Sequence, residues 1–495
     1  MATNKNIAPR FVRTLIAGAA ALACFSASAA TIVITSRDAP GVGFNDPTPV
    51  APVGGNPGTT LGQQRYNVYR YVADIWEKNL DSNVTIKVSA GWEPLTCTAG
   101  SATLGSAGAY NFWHDFAGGK PGIWYPQALA NKLAGVNLSE GTPDDGTGYA
   151  DADIKTQFNI NLGKPDCLAG SAFYLGLDGK AGADVNFVET LLHELGHGLG
   201  FSLGLTSTSS GKRVNADFTA YTEDGLPSPW EEFMYDNTSG KSWLKMTSAE
   251  RKASAINPLK LAWTGPNAVA GASMLRHLPV LNQYSPAGTL PQIDFNTASF
   301  GAPLPSSGAW GSVAVVATQP GETGPGCDPF NAANATAVKG KVALISRGAC
   351  AFVQKVKNAQ NAGAIGAILY NNAAGAIAPG GTDASVTIAA AGITQADGQA
   401  LVAAAAAAAK YGSRGAPGAV SIAFGVDAAR IAGADKAGRP LLYSPATLAP
   451  GSSVSHWDVT ATPNLLMEPN INPDLGTVLV SPKDLTLPLL KDIGW

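Results

Sequence analysis

Apolar positions along this chain recur with two different periods, and the switches between them mark its elements. Thr31–Ser36 (TIVITS) alternates β-branched residues and predicts a strand. Pro and Gly break every period between 37 and 62, which predicts loop. In Gln63–Leu80 the residues Val68, Val72, Ile75 and Trp76 fall at helical spacing. Asn83–Val88 (NVTIKV) and Asp153–Leu162 (DIKTQFNINL) predict two more strands. The clearest helical stripe follows, with Val188, Leu191, Leu192 and Leu195 at i, i+3, i+4 and i+7. Asn186 and Glu189 have N-cap and capping-box chemistry at its start, and Gly198 and Gly200 end it.

Beyond 205 the pattern is mixed, with Thr247 and Glu250 opening a short helix by the same capping logic. From about 280 to 428 the residues shift to Ala, Gly and Val. Lys341–Ile345 and Ala364–Tyr370 there predict strands around a helix at Cys350–Ala362, and Ala403–Ala409 predicts a helix by propensity. Leu441 onward returns to the character of the first part, so one domain is expected to be inserted into another. Ser481, Pro482 and Asp484 supply the N-cap, N1 and N3 residues of a last helix over Ser481–Gly494.

A chain of 495 residues is expected to hold two or three domains. Charged residues are 14% and the net charge is −3, so no basic face points to nucleic acid. Residues 1–29 read as a secretory signal: Lys5, Arg10 and Arg13 precede the apolar run TLIAGAAALACF, and Ala27-Ser28-Ala29 offers the cleavage site. Cleavage removes those three cations and takes the charge from −3 to −6. No later segment reads as a membrane span, so a secreted protein, periplasmic or extracellular, is expected. Cys24 leaves with the signal. Cys97, Cys167, Cys327 and Cys350 remain, an even number in an oxidising compartment. Proximity favours Cys97–Cys167 and Cys327–Cys350.

The predicted helix over the Leu stripe carries HELGH. His193 and His197 are four apart, so both imidazoles leave one helical face, the spacing of a zinc pair. Glu194 sits beside the first, placed to accept a proton from an activated water. A catalytic zinc needs a third protein ligand. In the compact H-E-x-x-H-x-x-G-x-x-H pattern it would stand at 203, which is Leu203. Three other histidines exist: His114 among aromatics, His277 near the start of the insert, and His456 in SVSHWDVTATPNLLMEPNI after it. Glu231 and Glu232 (PWEEF) are the candidates if the third ligand is instead a glutamate on a later element.

HELGHGLGF, followed much later by Ser-His-Trp and then a methionine, resembles the leishmanolysin family of metzincins over residues 187–201 and 453–470. That resemblance implies a single zinc held by His193, His197 and His456, Glu194 as general base and acid, Gly200 letting the chain reverse under the metal, and Met467 in the turn that floors the site. It also implies an α+β zincin fold, a mixed twisted sheet plus the metal helix, and a secreted endopeptidase acting on proteins or peptides. The insertion between ligands is far larger here, and neither a cysteine-bearing propeptide nor a cysteine-rich region after Met467 is recognisable. GKVALISRGACAF with KVKNAQNAGAIGAILYNN resembles a protease-associated (PA) domain, an α/β module. Such modules bind peptide or protein segments or shield an active site; a passive spacer is equally open. Its place between the ligands sets it beside the cleft and favours a part in substrate access. The expected layout is a leader at 1–29, catalytic parts at 30–279 and 429–495, and the PA domain at 280–428. The competing class is an inactive scaffold that binds proteins through the PA domain, against which the intact Glu194 argues. Calcium at Asp144-Asp145 and a solvated loop explain that turn equally well.

Overall fold

The computed structural model describes residues 29–286, 288–412, 418–472 and 474–495; apart from Ala29, the expected leader lies outside them. Ile32–Ser36 (β1), Ile86–Glu93 (β2) and Ile154–Asn159 (β4) run parallel, and Gly105–Ala109 (β3) closes one edge antiparallel to β4, giving the order β1-β2-β4-β3. The helix Leu61–Asn79 (α1) starts after Thr60, whose side chain accepts from the Gln63 N–H, two residues ahead of the Gln63 start that its sequence predicts. The HELGH segment lies in Phe187–Gly198 (α2), with the Asn186 side chain accepting from the N–H groups of Val188 and Glu189.

Burial explains why α2 sits on this sheet. Val188, Leu191, Leu192 and Leu195 are all buried, each contributing roughly 1.5–3 kcal/mol. Phe187 is fully buried and meets Tyr69 of α1, Trp92 of β2 and Phe158 of β4 at ring-centroid distances of 6.0, 5.1 and 4.8 Å. Three elements thus fix the first turn of the helix that carries the histidines.

The alanine-rich segment builds a second body with its own cores. His277–Ser285 (β5), Gly308–Val315 (β6), Val342–Ser346 (β7), Gly366–Tyr370 (β8), Ala389–Ile393 (β9) and Ser421–Ile431 (β10) join two short strands, 288–289 and 296–297, in one eight-stranded sheet. Its interior order is β5-β10-β6-β7-β8-β9, with β6 to β9 parallel. Successive residues of β7 and β8 feed opposite cores, as the period of two requires. Val342, Leu344 and Ile368 pack with Leu401 of the helix Gln395–Gly412 (α4). Ala343, Ile345 and Leu369 pack with Val356 of Phe352–Asn361 (α3).

The chain is zipped together where it leaves for this body and returns. Trp263 donates to the Pro440 carbonyl (2.8 Å) and Leu442 to that of Leu261 (2.9 Å). Arg276 donates to the Thr462 carbonyl (2.7 Å), and Ala432 to that of Arg276 (2.9 Å). The large core accordingly draws residues from both sides, from Ala30 through Leu275 and again from Leu442 through Ile493.

The last helix is shorter than its sequence predicts, Thr486–Ile493 (α5). Asp484 does not act as an N3 residue; its carboxylate accepts from the N–H groups of Leu466 and Thr486 at 2.7 and 2.6 Å, which pins the chain there as a turn. Disulfides join Cys97 to Cys167 and Cys327 to Cys350. Among the described residues no helix is long and apolar enough to cross a membrane.

Candidate metal centre

His193 and His197 leave the same face of α2, and His456 reaches them from a segment without regular structure. Each ring is oriented by a backbone carbonyl. Nδ1 of His193 contacts the Leu466 oxygen at 2.7 Å, that of His197 the Phe201 oxygen at 2.7 Å, and that of His456 the Ser452 oxygen at 2.8 Å. A carbonyl only accepts, so each Nδ1 carries the proton and each Nε2 a free lone pair. The Nε2 atom of His197 lies 3.1 Å from those of both His193 and His456. Lone pairs brought this close repel unless a cation sits among them. Tetrahedral zinc with Zn–N bonds near 2.0–2.1 Å holds its nitrogens ~3.3 Å apart, so the donor set fits that ion. Burial favours the neutral, ligating form. It pushes His193 down to about 3, helped by the neighbouring His197, and His197 down to about 4, and it holds His456 well below its usual value.

Among the described residues, the group of three or more His, Cys, Asp or Glu side chains able to share an ion is His193, His197 and His456. The glutamate candidates are engaged elsewhere. Glu231 is fully buried against Arg213 (2.6 Å) and the Thr206 hydroxyl (2.6 Å), while Glu232 pairs with Lys120 (2.6 Å). His114 lies edge-on to Trp124 and bonds Asp115, and His277 is exposed on β5. The Asp144 and Asp145 carboxylates accept from N–H groups of their own loop, Gly146, Thr147 and Gly148.

The helix exit and the returning segment are fastened to each other. Gly200 has φ +115°, a conformation open to glycine, and a Cβ there would stand 3.0 Å from Pro126. The reversal lets Phe201 donate back to the Gly196 carbonyl and present its own carbonyl to His197. Leu203 is buried, and its N–H donates to the Ser455 hydroxyl, next to His456 (3.1 Å). Met467 lies under the helix: a Cβ on Gly196 would come within 2.8 Å of its sulfur. Trp457, fully buried, donates its backbone N–H to the Met467 carbonyl (2.8 Å) and packs edge-on against Phe201 (5.4 Å).

Glu194 is 8% exposed, and burial pushes its carboxyl up to about 8 although the Ala107 backbone N–H donates to it. Ala107 belongs to β3, which pairs with β4 on one side only and so lines the cleft with a free edge. The cleft has a volume of about 1030 Å³ and runs past all three histidines and Glu194. Its walls come from Leu168, Gly179 and residues within 101–107, 181–202, 450–456 and 469–472; His277–Ile431 contributes none of them. Sequence reasoning missed β3, because GSAGA has no large side chains and hence no hydrophobic period. It also missed Ser455 and Asp484 as fasteners, since the backbone groups they hold, at Leu203 and Leu466, lie elsewhere in the chain.

Residues 311–401 match the PA domain family, so the inserted body contains a PA domain; the match stops well short of the histidines on either side. A stretch of 65 residues is 51% identical to leucine aminopeptidase 2 of Arthroderma otae (strain ATCC MYA-4605 / CBS 113480), covering 13% of each chain. Another of 47 residues is 51% identical to human (Homo sapiens) ER degradation-enhancing alpha-mannosidase-like protein 3, covering 10% of this chain and 5% of that one. The chain thus spans only a small part of either relative. Among solved structures, BSAP, a zinc aminopeptidase from Bacillus subtilis, aligns with 33% of this chain and 37% of its own at 23% identity and a TM-score of 0.20. The aminopeptidase from Aneurinibacillus sp. strain AM-1 aligns with 33% and 36% at 24% identity and a TM-score of 0.19. Scores at this level establish no shared overall fold.

Proposed function

We propose that this chain is a secreted zinc-dependent endopeptidase of the leishmanolysin-like metzincin type, with its PA domain inserted between the second and third metal ligands. The observation that carries the reading is the meeting of three Nε2 lone pairs, two from one helix and one from 259 positions away, each aimed by a carbonyl on its Nδ1. His193, His197 and His456 would hold the zinc, which when bound supplies an activated water and an electrophile for a carbonyl oxygen.

The remaining chemistry belongs to the chain. Glu194 takes a proton from the attacking water and later delivers it to the leaving amine; its buried position beside His193 supports that role. The free edge of β3 offers N–H and C=O groups at strand spacing, which suits an extended peptide laid along the cleft and favours cleavage within a chain. Met467 and Gly200 support the ligands without touching substrate. The two disulfides suit an oxidising compartment.

Metal analysis of His456→Ala tests the reading. Zinc loss together with loss of peptide cleavage is expected; full zinc occupancy in that variant would overturn it.

A further inference from the structure

Apart from its three histidines, the cleft is lined among the described residues by acids and neutral side chains. Asp184, Glu189 and Glu194 face it, and among the described residues no lysine or arginine does. Glu194 is engaged by the Ala107 N–H. Glu189 stands one turn before His193 on the same face of α2, ~6 Å along the helix axis. It is 9% exposed, yet its surroundings hold one amide donor, the Asn186 side chain, and a charge of its own sign, Asp474. A carboxylate this buried costs stability unless a cation meets it or it takes up a proton, and burial raises this one to about 7. Here the open side is the cleft. Asn470, Ile471 and Asn472 line the same cleft, whose volume of about 1030 Å³ has room for an extended peptide.

Resting on the peptidase reading, we propose that Glu189 selects substrates with a lysine or arginine beside the scissile bond. An apolar stem lies along the cleft and its charged head reaches the carboxylate, where charge-assisted hydrogen bonds replace those lost to water. Glu189 is a specificity residue in this scheme and takes no part in bond breaking. A purely structural role, as an acid in the first turn of α2, would leave substrate preference untouched.

Zinc-loaded protein is tested on N-acetylated, C-amidated peptides that differ only in carrying lysine, arginine, norleucine or glutamate next to the cleaved bond. Blocked ends leave the side chain as the sole new charge. The wild type is expected to cleave the lysine and arginine peptides about 10- to 100-fold better in kcat/KM than the norleucine peptide. Glu189→Gln removes that preference and leaves norleucine cleavage as it was, and Glu189→Lys turns it toward glutamate. Equal cleavage of lysine and norleucine peptides by the wild type overturns the proposal, whether or not the variants fold. So does a preference unchanged in a folded Glu189→Gln, or cleavage confined to peptides with a free N-terminus, since the cation would then be the chain's own amine. Silence toward every peptide would instead bring down the peptidase reading, and this inference with it.

Discussion

Residues 187–204 and 453–470 meet at one histidine cluster but are held there by different means. The first segment is a capped helix whose spacing alone aligns His193 with His197, and whose apolar stripe fastens it to a sheet. The second, apart from isolated pairings, has no regular element. His456 stays in place because Tyr443, Ser452 and Ser455 bond around it, Trp457 is wedged among aromatics, and Asp484 holds Leu466, whose carbonyl orients His193. Two ligands are therefore prearranged by local geometry, whereas the third depends on contacts far apart in sequence. Damage to the first segment should act on folding or on chemistry, and damage to the second on metal retention.

The largest effect separates chemistry from metal retention within the helix. Glu194→Gln should keep zinc while turnover falls about 10²- to 10⁴-fold, the range of a lost acid–base group. Metal assay beside peptide kinetics checks it. The same variant has a pH signature in chelated protein. Glu194 is raised to about 8 when folded, so its contribution to stability is present below about 4.5, its unfolded value, and is lost as pH rises through 8. His193 acts oppositely: lowered to about 3, it contributes above about 6.5 and its contribution is lost as pH falls through 3. The melting-temperature gain of Glu194→Gln over wild type should therefore grow between pH 4.5 and 8 and then level off. A flat difference across that range would show that the carboxyl ionises freely.

Next comes a matched pair of core truncations. Leu191→Ala and Trp457→Ala each remove a fully buried side chain, at a cost of about 2–5 and 3–5 kcal/mol respectively. In urea both lose stability. Under native conditions, chelator competition should find Leu191→Ala close to wild type and Trp457→Ala weaker for zinc, because only the latter loosens the strap that carries His456. Equal zinc affinity in the two would erase the distinction between the halves.

That distinction also decides what could be read from the sequence. The helix declares itself through Val188, Leu191, Leu192 and Leu195, and the insert through runs such as VALIS and GAILY, because their burial follows a fixed period. His456 is legible only through its Ser-His-Trp setting and the later Met467. Nothing periodic marks 453–470, whose conformation is set by hydrogen bonds to partners the chain brings from elsewhere. The β3 edge is silent for another reason: glycine and alanine leave no hydrophobic pattern, so a strand that lines the cleft with its backbone looks like loop. Ser481–Gly494 misleads because Asp484 has the chemistry of a helix start but is drawn to the Leu466 N–H.

Asp484 offers the finest test of the contrast, being two hydrogen bonds removed from His193 by way of Leu466. It touches no histidine. Its two oxygens accept from Leu466 and Thr486, and Leu466 in turn accepts from His193. Burial raises this carboxyl while the N–H donors oppose the rise. Asp484→Asn keeps the shape and one acceptor but turns the other oxygen into a donor facing an N–H, leaving a hydrogen bond unmade at about 1–3 kcal/mol. The His193 ring would lose part of its aim through the shifted Leu466 carbonyl, and changes in a ligand's hydrogen-bond partner lower metal affinity about 10- to 100-fold. The expected result lies at the low end, since the effect passes through a backbone unit rather than acting on the ring. Chelator titration of Asp484→Asn against Asp484→Ala checks it: if the turn at Leu466 aims His193, both weaken zinc binding, and if it only closes the chain, both lower melting temperature alone.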